Sequence, residues 1–292
     1  MPRASLSTGT ELEYDTTGSP DDPALLLIMG FTAQMTAWPD ELCKMLAGTG
    51  LFVVRFDNRD CGLSTKFDGV QVDIMTILGG GEGADDVPVP YTLSDMAGDA
   101  IGLLDHLRID RAHIMGASMG GMIAQTVAIE HPQRCLSLIS VMSTTGDRSV
   151  GHAAPEAMGA LLTPPPTERA AFIEAAPRYM VFQSKKYRYA ERSKELAAAS
   201  FDRSFYPEGS QRQLGAIYKS GDRSTKLASV EAPTLVIHGK DDTLIGPSGG
   251  IRTAELIPNA SLLLLAHMGH DIPEPLWPTI VSAIDAHIQS AG

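Results

Sequence analysis

The run Leu25-Leu26-Leu27-Ile28-Met29 is apolar without interruption. A strand with one face in water alternates polar and apolar residues. An unbroken apolar strand instead needs cover on both faces, as in a parallel sheet with helices packed on either side. Further short runs recur at Phe52 to Phe56, Leu136 to Met142, Thr234 to Ile237 and Leu262 to Leu265, with a weaker one at Glu11 to Asp15. Helical patterns fall between them. Pro39 to Ala47 fits a helix ended by Gly48. Thr92 to Leu107 fits one capped by Thr92 or Ser94, with Met96, Ala100, Ile101, Leu104 and Leu107 on one stripe. The chain closes on a helix from Trp277 to about Ser290. Strands alternating with helices predict an α/β fold built on a doubly wound, mostly parallel sheet.

One strand-to-helix junction carries chemistry as well as architecture. Arg111 to Met115 reads as a buried strand, and the apolar helical stretch Met122 to Ile129 follows it. Between them lies Gly116-Ala117-Ser118-Met119-Gly120-Gly121, which fits G-x-S-x-G. In this context the pattern describes a serine on a sharp strand–turn–helix corner with its oxygen exposed. Glycines at 116 and 120 remove side chains that would collide there and tolerate unusual backbone angles. The helix starts at the serine, so its free N–H groups point toward any anion formed nearby. A helix-capping serine is the plainer reading of the same string.

Bulk properties bound the function. The 292 residues suffice for one large α/β domain with an insertion or for two modest domains, and 43% hydrophobic residues can build a sizeable core. The formal net charge of −12, with no basic cluster, argues against nucleic acid or an anionic membrane as partner. Cys43, Cys61 and Cys135 are odd in number and form no C-x-x-C, so neither a disulfide framework nor a zinc site is expected. The start of the chain lacks an apolar signal core, and no apolar run reaches membrane-span length. A cytoplasmic setting is the default expectation.

Two stretches break the alternation. Asp68 to Pro90 reads as a long Gly- and Asp-rich loop with an apolar patch, Ile74 to Leu78, that could cover a site or meet another copy in a homo-oligomer. Asp147 to Leu227 is helical in composition, interrupted by Pro164-Pro165-Pro166, and contains no convincing strand. The expected organisation is therefore an α/β core of residues 1–146 and 228–292, with 147–227 inserted as a helical cap over the strand ends.

A serine hydroxyl needs a general base within hydrogen-bond reach. Among eight histidines, His270 follows the last expected strand in the turn Met268-Gly269-His270-Asp271, and His267 is its rival. The order serine, acid, histidine favours His270. The acid that orients it follows the strand ending at Ile237, within Gly239-Lys240-Asp241-Asp242. Spacing favours Asp242 over Asp241, and Asp147 is a weaker candidate. Backbone N–H donors for a developing oxyanion are expected from Met119, which follows the serine, and from Phe31 in the loop Gly30-Phe31-Thr32.

These segments, together with Arg55-Phe56-Asp57-Asn58-Arg59-Asp60-Cys61-Gly62-Leu63-Ser64, resemble the α/β-hydrolase superfamily along essentially the whole chain. The last segment is similar to a bacterial serine esterase/lipase branch that includes aclacinomycin methylesterase. The resemblance implies ester hydrolysis without a cofactor, with Ser118, Asp242 and His270 as triad and Phe31 with Met119 as oxyanion hole. It also implies that Asp57, Arg59 and Asp60 brace the loop beside the site. The chain departs from many members in carrying Met29-Gly30 where they have His-Gly, which keeps the backbone donor. The expected activity is hydrolysis of moderately hydrophobic small-molecule esters through an acyl-enzyme. Carbon–carbon bond or lactone hydrolysis by the same triad is the alternative, and an inactive small-ligand-binding module is a minor one.

Overall fold

The computed structural model describes residues 2–81 and 83–291. Met1 and Gly292 at the ends of the expected core, and Glu82 in the expected 68–90 loop, lie outside the described residues. The chain runs through β1 (Arg3–Ser5), β2 (Glu11–Thr17), β3 (Ala24–Ile28), α1 (Asp40–Ala47) and β4 (Phe52–Phe56). It continues through α2 (Ile74–Gly79), α3 (Leu93–His106), β5 (Ala112–Ala117), α4 (Met119–Glu130) and β6 (Cys135–Val141). Helices α5 (Pro155–Leu162), α6 (Arg169–Ala175), α7 (Ala190–Arg203), α8 (Gly209–Ser220) and α9 (Ser224–Leu227) come next. The end is β7 (Thr234–Gly239), α10 (Ser248–Leu256), β8 (Ser261–Leu265) and α11 (Trp277–Ser290).

The strands form an eight-stranded sheet in the order β1-β2-β4-β3-β5-β6-β7-β8. The β1–β2 and β2–β4 pairs are antiparallel. Pairing from β4 through β3 to β8 is parallel. This is the doubly wound α/β fold that the apolar runs predict. In β3, Leu26 and Ile28 join the core under α3 and α4, while Leu25 and Leu27 join the core under α1 and α11. That division is why β3 tolerates no polar residue. Strand β8 sits at the sheet edge and is only half covered, so its leucines remain partly exposed.

The winding also locates a crevice. From β3 the chain crosses to β4 on one side, then returns past β3 to β5 on the other. At such a reversal the loops after the two central strands diverge to opposite faces, leaving space beyond their carboxyl ends. Those loops are Gly30-Phe31-Thr32 and the serine corner.

Several elements differ from the sequence expectation. The patch Ile74 to Leu78 is not a bare loop but the start of α2. Asp73 caps it by accepting the Thr76 N–H at 3.1 Å, and Gly80 ends it with φ 61°. Ile77 is buried, whereas Met75 is 74% exposed. Strand β1 and helix α10 carry too weak a pattern to be read, being short and glycine-containing respectively. Helix α3 begins as expected from Thr92, in a capping box with Asp95.

The segment after β4 binds distant parts of the chain through buried charges. Arg59 forms a two-pronged pair with Asp99 of α3 at 2.6 and 2.7 Å. Asp60 receives Arg212 of α8 at 2.8 and 3.0 Å, plus the Tyr91 hydroxyl at 2.6 Å and the Phe67 N–H at 2.9 Å. Asp57 accepts the N–H groups of Met35 and Leu63, each at 2.8 Å. Asp57 and Asp60 thus hold neighbouring loop segments, while Arg59 ties the same segment to α3. Removing one partner of a buried pair strands the other charge, at a cost of about 3–5 kcal/mol. Asp99→Ala is therefore expected to lower stability to urea by about that amount, and a loss below about 1 kcal/mol would contradict this account of the pair.

Candidate active site

The corner at Ser118 depends on backbone approaches that exclude side chains. A Cβ on Gly116 would lie 1.9 Å from the Gly120 carbonyl oxygen, and one on Gly120 would lie 2.1 Å from that of Ile28. Glycine at both positions lets the first turn of α4 press against β5 and β3. Ser118 itself adopts φ 58° and ψ −121°, which a side-chain-bearing residue holds only under constraint. The constraint is visible. Its N–H donates to Val141 at 2.9 Å, and its carbonyl accepts from the Ser143 hydroxyl at 2.8 Å.

Residues expected from three separate segments meet in one hydrogen-bonded line. Ser118 Oγ lies 2.9 Å from His270 Nε2. His270 Nδ1 lies 2.7 Å from Asp242 Oδ2. A carboxylate can only accept, so Nδ1 carries the proton and the Nε2 lone pair faces the serine hydroxyl. The remaining Asp242 oxygen accepts the N–H groups of Leu244 and Ile245, each at 2.9 Å. Burial by itself would raise the Asp242 carboxyl. The facing His270 charge and hydrogen bonds from His238 and His270 outweigh burial and hold it at about 2.

The rivals lie elsewhere. Asp241 contributes its backbone N–H to Met268 at 2.9 Å. His267 is exposed, with φ 64° and its ring edge-on to Tyr187. Asp147 caps a turn at Ser149 and lies 3.8 Å from Arg252.

The loop after β3 closes on the serine. A Cβ on Gly30 would stand 3.0 Å from Ser118 Cβ and 3.6 Å from its Oγ. Among the described residues, neither the Phe31 N–H nor the Met119 N–H meets a protein acceptor. Met119 opens α4 and its side chain is buried in the core, with Phe31 packed at the edge of that core.

Helices α5 to α9 enter between β6 and β7, and the segment between α6 and α7 reaches the histidine loop. The His270 N–H donates to the Phe182 carbonyl at 2.6 Å, and the Phe182 ring stands edge-on to the imidazole at 6.0 Å. Asp271 accepts the N–H groups of Ser184 at 2.8 Å and Gly269 at 3.1 Å. Phe182 packs with Ala157 and Leu244, with Leu161 and Tyr179 against them, whereas Leu162 is 40% exposed.

The sequence does not point to some of these supports. Ser143 and His238 belong to no motif. His238 is fully buried, with Nε2 2.8 Å from the Ile245 carbonyl and 3.5 Å from Asp242. The only available signal was its place at the end of β7, one turn ahead of the acid. Among the described residues no group of His, Cys, Asp and Glu is arranged to hold a metal ion. No helix there is long and apolar enough to cross a membrane.

The chain is similar to rhodomycin D methylesterase DauP of Streptomyces sp. (strain C5), at 27% identity over 94% of this chain and 93% of that protein. It is 28% identical to a 2-hydroxy-6-oxononadienedioate/2-hydroxy-6-oxononatrienedioate hydrolase of Burkholderia vietnamiensis, covering 90% of this chain and 86% of that one. Among solved structures, the enol-lactonase of Burkholderia xenovorans LB400 superposes with a TM-score of 0.76 at 22% identity, over 99% of this chain and all of that one. The last likeness speaks to fold alone. Residues 23–274 match the family model of the alpha/beta hydrolase fold. With its mostly parallel sheet and its strand–serine–helix corner, the chain belongs to the α/β hydrolase family.

Proposed function

We propose that the protein is a serine hydrolase that cleaves carboxylic esters of moderately hydrophobic small molecules. The observation that carries this reading is the unbroken line from Ser118 Oγ through His270 to Asp242, at 2.9 and 2.7 Å. Serine becomes an effective nucleophile only when a neighbouring base can take its proton. The similarity to a methylesterase supports an ester as substrate.

In this mechanism Ser118 Oγ attacks the acyl carbon while its proton passes to His270 Nε2. Asp242 stabilises the imidazolium through the Nδ1–H bond without itself accepting the proton. The oxyanion is met by the backbone N–H groups of Phe31 and Met119, at the strand-end loop and at the positive end of α4. Collapse of this intermediate expels the alcohol, which takes the proton from Nε2. Water then attacks the acyl-enzyme, giving its proton to Nε2, and a second collapse frees the acid and restores Ser118. Every group in this sequence comes from the protein, the substrate or water, so the reading needs no cofactor. Residues 147–227 serve as a cap that excludes water, with Phe182 over the imidazole. The same groups could hydrolyse a carbon–carbon bond, and the similarity to the dienedioate hydrolase favours that as the second reading.

Purified protein is expected to hydrolyse p-nitrophenyl butyrate or octanoate and to react with a fluorophosphonate probe at Ser118. Ser118→Ala should abolish labelling and lower turnover by about 10⁴-fold or more. An unlabelled wild type that leaves acetate, butyrate and octanoate esters intact would sink the proposal. Asp242→Asn should keep the fold and lower turnover by about 10⁴-fold, because it disrupts the tautomer and charge balance of His270.

Asp242 also makes a pH prediction. A carboxyl held at about 2 in the folded protein and titrating near 3.8 when unfolded stabilises the fold above that range. The contribution is lost as pH falls from about 4 through about 2. Acid titration of unfolding free energy should be shallower there for Asp242→Asn than for the wild type, and equal slopes would refute the assignment.

A further inference from the structure

Gly30, Phe31, Thr32 and Ala33 form a four-residue turn closed by the Ala33 N–H on the Gly30 carbonyl at 3.3 Å. Thr32 occupies its third position with φ 56°. A positive φ at that place ordinarily calls for glycine, and for a β-branched residue it is strained. Such a conformation persists only when its surroundings over-determine it.

The surroundings come from the helical insertion. The Thr32 N–H donates to Gln213 Oε1 of α8 at 2.8 Å, and Gln213 Nε2 donates to the Arg59 carbonyl at 2.9 Å. Gln213 is fully buried, so its amide is locked between the turn and the segment after β4. Just beyond the turn, Gln34 Nε2 donates to the carbonyls of Ser200 and Ser204, at 2.8 and 2.9 Å, near the end of α7. Its Oε1 accepts from Arg203 at 2.6 Å. Arg203 also reaches Asp57 at 2.8 Å, and Asp57 holds the Met35 N–H.

We infer that the insertion sets the oxyanion-binding geometry, with Gln213 as the principal positioning residue and Gln34 as a second anchor. The inference rests on the ester-hydrolase reading, in which the Phe31 N–H meets the oxyanion. Phe31 lies between two held points. Gly30 is packed on Ser118, and the peptide joining Phe31 to Thr32 is oriented by Gln213. Without that amide acceptor, the strained Thr32 relaxes toward negative φ and the Phe31–Thr32 peptide turns with it. The shift passes through the Phe31 Cα to the preceding peptide, which carries the Phe31 N–H. The insertion thus contributes to rate as well as to covering the site.

The test compares wild type, Gln213→Leu and Gln213→Glu. A protonated glutamic acid keeps an acceptor for Thr32 and a donor for Arg59. Removing an oxyanion donor lowers turnover by about 10²–10³-fold, so displacing one in Gln213→Leu should lower kcat by about 10- to 100-fold. KM should stay nearly unchanged. Affinity for a trifluoromethyl ketone, which forms a tetrahedral oxyanion on serine, should fall in parallel with kcat. The Thr32 amide should exchange hydrogen faster than in the wild type, while Gln213→Glu retains most of both properties.

An effect confined to KM, or to melting temperature with kcat and ketone affinity intact, overturns the inference. So does unchanged Thr32 exchange in Gln213→Leu. Should Gln213→Leu not fold, Gln34→Ala is expected to show the same kcat-selective loss, and wild-type kcat there overturns the inference. Failure of the ester reading has a separate signature, a wild type inert to esters and to fluorophosphonate. The Thr32 exchange comparison then decides whether Gln213 holds the turn.

Discussion

The molecule depends on one close approach, that of the first turn of α4 to β5 and β3. It is possible only because Gly116 and Gly120 present no Cβ to carbonyl oxygens that would lie about 2 Å away. The approach places Ser118 at φ 58° and turns its hydroxyl out of the sheet. Holding such a conformation costs on the order of 1–3 kcal/mol. Hydrogen bonds from Ser118 to Val141 and from Ser143 to Ser118 restrain the residue on both sides of its Cα. The strain resides in the backbone of the residue proposed to react, and the packing that enforces it belongs to the core.

Around that corner the structure divides its work between sheet and insertion. The sheet delivers the ends of β3, β5, β7 and β8 to one edge, because parallel strands all finish on the same side. The insertion then braces the flexible loops that leave those ends. Phe182 and Ser184 hold the histidine loop, and Gln213 and Gln34 hold the turn containing Phe31. The buried pairing of Asp60 with Arg212 fastens α8 to the core at the same place. Insertion and core therefore form one hydrogen-bonded framework around the serine.

Much of this was legible in sequence. Unbroken apolar runs marked the central strands, because a strand covered on both faces has no position for a polar side chain. The glycine spacing around Ser118 exposed the corner, because the requirement for absent side chains is local. The edge and surface elements were less legible. Strand β1 is only a few residues long, and α2 depended on the Asp73 cap and on burying Ile77 in a stretch whose glycines read as loop.

By itself, then, the sequence determined the strand–helix alternation, the serine corner and a short set of candidates for base and acid. Each of these depends on neighbours within one turn or one strand. Only the tertiary structure decided that His270 and not the exposed His267 faces Ser118, and that Asp242 rather than Asp241 faces His270. Spacing and chain order favour Asp242 and His270, but adjacent residues on a turn point in different directions, and only the packed chain fixes which of them faces the serine. It alone also brought Gln213 onto Thr32, a contact between residues 181 positions apart. A hydrogen bond across that separation depends on where the whole sheet and insertion place both ends, and it leaves no local pattern in the sequence.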